Sequence, residues 1–180
     1  MSRPRRDRRD IEDLARRTLV EHGLFACPVN PVVVARRLGA TVQNAVFSEE
    51  RLAGLTRLRG EHAVILVKES DQPLRKRFTI AHEIGHVLLH IDKDTVEIID
   101  SDADFFRSQF EDTAEWTDVR QREVEANMFA AGLLMPADLV REVWNELSED
   151  SRSVETLSAL FQVSEEAMGY RLSAIGLAGA

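Results

Sequence analysis

Positions of buried type recur at helical spacing from Ile11 through Leu14, Ala15, Thr18 and Leu19, and the pattern ends near His22-Gly23. Pro28 and Pro31 then break the chain. Asn30 can cap a short helix with Pro31 at its first position, running to Leu38 and stopped by Gly39. Three β-prone stretches follow, Thr41–Phe47, Leu52–Leu58 and Ala63–Lys68, punctuated by Gly54 and Gly60, and they predict a small antiparallel sheet. A helix is expected from about Leu74 to Ile91, with Asp71 as its cap. A second strong helix is expected from Val119 to Leu134, ended by Met135-Pro136. A third carries Leu139, Val140, Val143, Trp144 and Leu147. A polar linker, 148–153, leads to two short helices, Val154–Phe161 and Glu165–Ile175, the second capped by Ser164. The fold class is α+β. Three segments are expected: a flexible basic tail (1–10), a main domain (11–147) and a C-terminal helical segment of helix-turn-helix character (148–180).

Composition narrows the function classes. With 180 residues, 44% hydrophobic and 30% charged, the chain can bury one real core. No apolar run reaches the length of a membrane span. The N-terminus leads into a charged amphipathic stretch, so no secretory signal is expected. A single cysteine, Cys27, rules out an internal disulfide and is read as a packing residue, so the expected compartment is the cytoplasm. The net charge of -8 is uneven: residues 1–90 carry 16 Lys/Arg against 11 Asp/Glu, and residues 91–180 carry 7 against 20. An acidic half of this size argues against broad adhesion to nucleic acid. Much of it lies between Asp92 and Asp118, where a long excursion with a short helix around Phe105–Phe110 is expected.

Chemistry concentrates at His82-Glu83-Ile84-Gly85-His86, an H-E-x-x-H pattern inside a predicted helix. Residues four apart share a helix face, so both imidazoles can reach one cation, and Glu83 can reach a water on it as general base. Zinc then needs a third protein ligand and an open position. On the Val119–Leu134 helix, Glu123 and Asn127 share a face. Glu123 is the preferred ligand, and Asn127 suits a hydrogen bond from a ligand imidazole. Glu125 points away from Asn127 on an ideal helix and is the alternative ligand. His90 lies too far along its helix from His82 to share the ion, so packing or a hydrogen bond below the site suits it better. His22 and His62 are distant in sequence and read as bystanders. Tyr170, Arg75, Arg77 and His62 are open candidates for stabilising an oxyanion.

These segments resemble the ImmA/IrrE family of metallopeptidases. The similarity covers Cys27–Gly39 (CPVNPVVVARRLG), Arg77–His90 (RFTIAHEIGHVLLH), Glu123–Pro136 (EVEANMFAAGLLMP) and the stretch from Val154 to Leu177. The resemblance implies a zincin-like metallopeptidase core, with zinc on His82, His86 and Glu123 and with Glu83 as base. It also implies a substrate class, helix-turn-helix repressors, whose cleavage or inactivation switches on stress-response, phage or mobile-element genes, sometimes beside toxin–antitoxin-like modules. One departure is the long acidic span between His86 and Glu123.

The competing reading is a regulatory module that sequesters a repressor or contacts DNA, with zinc mainly structural. The second C-terminal helix begins Glu165-Glu166 and offers only Arg171, which disfavours direct DNA binding. A non-peptide substrate is disfavoured by the lack of a Gly-rich phosphate loop and of a second metal cluster in the sequence.

Overall fold

The computed structural model describes residues 6–50, 52–59, 62–90, 97–101 and 118–177, with backbone alone for Arg59 and 97–101. The order of elements is α1 (Arg8–Glu21), α2 (Pro31–Arg37), β1 (Thr41–Ala45), β2 (Leu52–Arg59), β3 (His62–Lys68), α3 (Pro73–Leu89), β4 (Glu97–Ser101), α4 (Asp118–Leu134), α5 (Ala137–Glu146), α6 (Val154–Phe161) and α7 (Glu165–Ala174). A short 3-10 turn, Glu149–Ser151, precedes α6.

Local chemistry explains the boundaries. Asn30 Oδ1 accepts from the backbone N–H groups of Val32 and Val33, with Pro31 at the first helical position, as expected for α2. Ser164 caps α7 by accepting from Ala167 N. Two ends differ from expectation. The cap of α3 is Gln72, one residue beyond Asp71, because Pro73 occupies the first helical position and holds the preceding residue extended. Helix α1 starts at Arg8, inside the stretch expected to be tail, because Asp7 Oδ1 caps it through Arg9 N.

The sheet has the order β1-β3-β2-β4. It is mixed, which corrects the expected antiparallel arrangement: β1 runs parallel to β3, with Thr41 opposite Val64, while β2 is antiparallel to both β3 and β4. The hairpin β2–β3 forms as the sequence suggests, but the chain from β1 passes over to the far side of β3 before turning back. Strand β4 was hidden in the acidic excursion, where Ile98 and Ile99 mark it only weakly. The helix expected around Phe105–Phe110 lies outside the described residues.

Helix α3 is the axis of the molecule. Every residue from Phe78 to His86 is buried, so the helix has no solvated side over that stretch. It packs on β2 and β3 and against α2 and α4. One hydrophobic cluster runs from Ile11 on α1 through Ile65 on β3, Ile84 on α3 and Phe129 on α4 to Phe161 and Met168 on α6 and α7. The C-terminal helices therefore share the main core. Arg77 adds a polar tie, donating from Nε to Gln162 O and from Nη2 to Val29 O. Arg171 ties α7 to α1, with Nη1 and Nη2 on the two carboxylate oxygens of Glu12 at 2.9 and 3.1 Å, and Nε on Met135 O.

Two glycines mark close approaches that an added side chain would disturb. A Cβ on Gly85 would lie 3.1 Å from Ala126 Cα and 3.2 Å from Ala126 O, so α3 and α4 meet backbone to backbone. A Cβ on Gly54 would lie 2.6 Å from Thr79 Cγ2 and 2.7 Å from Glu83 Oε1, so β2 passes directly over α3.

Two outcomes follow from this packing. Gly85→Leu forces the two helices apart and is expected to destabilise the fold by roughly 1–3 kcal/mol, or several degrees in Tm. Thermal unfolding followed by circular dichroism checks it, and an unchanged Tm contradicts the close contact. Burial alone would raise the Glu12 pKa, but Arg171 and Arg8 outweigh it and hold the carboxyl below its usual value. A lowered folded pKa gives stability that is present above the unfolded pKa of about 4.3 and lost as pH falls through the folded value. Glu12→Gln is therefore expected to cost about 1–3 kcal/mol at pH 7. Urea titrations of both proteins should show that difference shrinking as pH falls below about 4.

Candidate metal centre

Helix periodicity and the Gly85–Ala126 contact together build the site. His82 and His86 lie three residues before and one residue after Gly85. Glu123 and Asn127 stand in the same relation to Ala126. Closing the helices at that point brings these four side chains together. Both imidazoles are essentially inaccessible to solvent, and Glu123 keeps 24% of its side chain exposed. His82 Nε2 lies 3.2 Å from Glu123 Oε2, His86 Nε2 lies 3.4 Å from Glu123 Oε1, and the two Nε2 atoms are 2.9 Å apart.

Hydrogen-bond partners decide which ring nitrogens carry protons. His82 Nδ1–H donates to Asn127 Oδ1 at 2.8 Å, the role expected for Asn127. His90 Nε2–H donates to Glu125 Oε2 at 3.2 Å, which leaves His90 Nδ1 as an acceptor. His86 Nδ1–H donates to it at 2.9 Å. Burial, helped by the neighbouring His86, pulls the His90 pKa down to about 4, so this ring is neutral at pH 7. Burial also lowers the pKa of His86. The Nε2 atoms of His82 and His86 face each other at 2.9 Å, and both face the Glu123 carboxylate.

The dimensions fit a divalent metal. A tetrahedral ion with bonds of 2.0–2.1 Å needs its ligand atoms about 3.3 Å apart; in the triangle of His82, His86 and Glu123 the two Nε2 atoms are 2.9 Å apart and lie 3.2 and 3.4 Å from one carboxylate oxygen each. Burial alone would raise the Glu123 pKa, but the two imidazoles outweigh it and keep the carboxyl ionised, as a ligand must be. Among the described residues, His82, His86 and Glu123 are the group of side chains placed to share one metal ion.

Glu125, the alternative ligand, faces elsewhere. Its Oε1 accepts from Gln121 Nε2 and Arg6 N, and its Oε2 accepts from Arg6 Nη1 and His90 Nε2. Four donors fill its acceptor positions. Glu83 is fully buried, and its Oε2 accepts from the hydroxyl of Thr56 on β2. His22 caps the C-terminal end of α1 and His62 begins β3, and neither belongs to the group placed to share a metal ion. Arg77 is held by backbone carbonyls, as described above. The Cys27 thiol is pushed up by burial and donates to Leu160 O, in keeping with a packing role.

Sequence reasoning missed two contributors. Thr56 carries no motif, since an inward strand threonine looks like any other. Arg6 was grouped with the tail, yet it reaches Glu125 and donates from Nη2 to Leu89 O at 2.9 Å.

Comparison with known proteins bears on the same residues. A family model described as the IrrE N-terminal-like domain matches residues 35–173. The chain is 32% identical over 114 residues to the radiation response metalloprotease IrrE of Deinococcus radiodurans, covering 63% of this chain and 31% of that protein. It is 34% identical over 114 residues to the protein of the same name from Deinococcus deserti, covering 63% of this chain and 37% of that protein. The chain thus spans about a third of the length of these curated relatives. A solved structure titled Mycobacterium tuberculosis transcriptional regulator superposes with a TM-score of 0.58 at 21% identity, over 91% of this chain and 47% of that one, and shares the fold. The long match through both helices of the metal centre leads to one conclusion: the chain belongs to the ImmA/IrrE family, as a carrier of its IrrE N-terminal-like domain.

Proposed function

We propose that this chain is a zinc-dependent endopeptidase with a zincin-like core that acts in the cytoplasm, in transcriptional regulation. In this reading His82, His86 and Glu123 hold the metal, Glu83 is the general base, and the substrate is a helix-turn-helix repressor. The observation that carries the reading is the convergence of two imidazoles and one carboxylate beside a buried glutamate. Family membership and the relatives named as metalloproteases support it. A donor set of two nitrogens and one oxygen suits zinc.

Zinc, when bound, supplies Lewis acidity, lowering the pKa of water from 15.7 to about 7 and polarising a carbonyl. The chain's own residues do the rest. Asn127 and His90 hold the ligand imidazoles in the tautomers that present Nε2. The Glu83 carboxylate takes the proton of the attacking water and returns it to the leaving amine. The Thr56 hydroxyl, donating to Glu83 Oε2, fixes the plane in which that carboxylate works. Gly54 allows β2 to approach closely enough for this contact. Among the described residues, no helix is long and apolar enough to cross a membrane.

The direct test incubates the purified chain with a helix-turn-helix repressor encoded beside it and reads cleavage by mass spectrometry, with and without a chelator. Cleavage by the zinc-loaded protein should stop on metal removal. Glu83→Gln should keep one equivalent of zinc and lose at least about 100-fold in rate. Glu123→Ala should lose the zinc. A Glu83→Gln protein that still cuts at the normal rate contradicts the base assignment. An intact repressor after incubation with fully zinc-loaded chain contradicts the substrate class.

A further inference from the structure

Beneath the metal-binding triangle, a second set of polar side chains forms an unbroken line. It starts at Arg6, half-exposed ahead of α1, whose Nη1 lies 2.8 Å from Glu125 Oε2. It continues to His90 Nε2 at 3.2 Å, and from His90 Nδ1 to His86 Nδ1 at 2.9 Å. It ends at His86 Nε2, which faces the triangle. Glu125 and His90 are almost wholly buried.

We propose that Arg6, Glu125 and His90 form a relay that positions His86, setting its tautomer and strengthening its grip on the metal. This rests on the reading that His86 is a metal ligand. The logic is chemical. A neutral imidazole binds a cation through one nitrogen only if the other carries the proton. His86 must therefore donate from Nδ1, and the acceptor in reach is His90 Nδ1. His90 can accept there only while its own proton sits on Nε2, and Glu125 holds it on that atom. A carboxylate behind a ligand histidine raises the basicity of the ligand. Here the carboxylate acts through one intervening ring.

Arg6 completes the line from outside. Its guanidinium and backbone N–H both bind Glu125, and its Nη2 caps the end of α3 at Leu89 O. A cation at a helix C-terminus is favourable. The contact also fixes the carboxylate relative to the helix that carries both histidines. A residue ahead of the first helix is thereby linked to metal retention in the middle of the molecule. These three are positioning residues and touch neither metal nor substrate.

The test measures zinc affinity by competition with a chromophoric chelator and records the visible spectrum of the cobalt(II)-loaded protein, on the full chain and its variants. His90→Leu removes the acceptor and is expected to weaken zinc binding about 10–100-fold and to alter the cobalt bands. His90→Asn, whose Oδ1 can stand where Nδ1 stood, should recover most of that loss. Glu125→Gln is expected to lose about tenfold, and Arg6→Ala less, in the same direction. Should His90→Leu fail to fold, Glu125→Gln and Arg6→Ala carry the same measurement. If the wild-type chain binds zinc tightly and these variants match it to within about twofold, far less than a lost second-sphere partner costs, the relay is overturned while the metal centre stands. If the wild type takes up no metal, or His86→Ala holds it as tightly, the ligand assignment itself fails and the relay falls with it.

Discussion

Helices α3 and α4 meet closely where Gly85 faces the backbone of Ala126. The triangle depends on this contact. The imidazoles stand on α3 and the carboxylate and carboxamide on α4, each pair straddling the crossing with the same offsets. Strand β2 imposes the matching constraint on the other side of α3. There Gly54 lets the sheet approach until Thr56 meets Glu83. The H-E-x-x-H helix is thus approached closely from two directions, each time at a glycine.

The polar interior is organised so that every proton has an assigned place. Asn127 accepts a hydrogen bond from one imidazole and His90 from the other, and the two Nε2 atoms turn toward each other and Glu123. A buried polar cluster of this kind is costly unless its groups are paired, because the interior screens them poorly. The compensating order lies outside the triangle, in the fully satisfied carboxylate of Glu125 and in the apolar cluster that joins all seven helices to the sheet.

Much of this was legible in the chain. The H-E-x-x-H spacing and the shared face of Glu123 and Asn127 follow from 100° per residue and need no tertiary information. The caps at Asn30 and Ser164 were equally local. What stayed hidden was long-range. The parallel pairing of β1 with β3 depends on which side of the hairpin the chain crosses, and no turn signal encodes it. Strand β4 owes its existence to a free edge on β2 more than to its own short apolar run. Arg6 looked like one arginine among five, and only its meeting with Glu125, 119 residues away, distinguishes it. Gly85 occupied a variable place in the motif, and its role appears only when a second helix lies against it.

The central claim is that one divalent ion sits between His82, His86 and Glu123. Crystals of the zinc-loaded chain, measured on both sides of the zinc absorption edge, address it most directly. The account predicts a single strong anomalous peak about 2 Å from His82 Nε2, His86 Nε2 and a Glu123 oxygen. A peak on Glu125 in place of Glu123, or no peak between the two imidazoles, would contradict it.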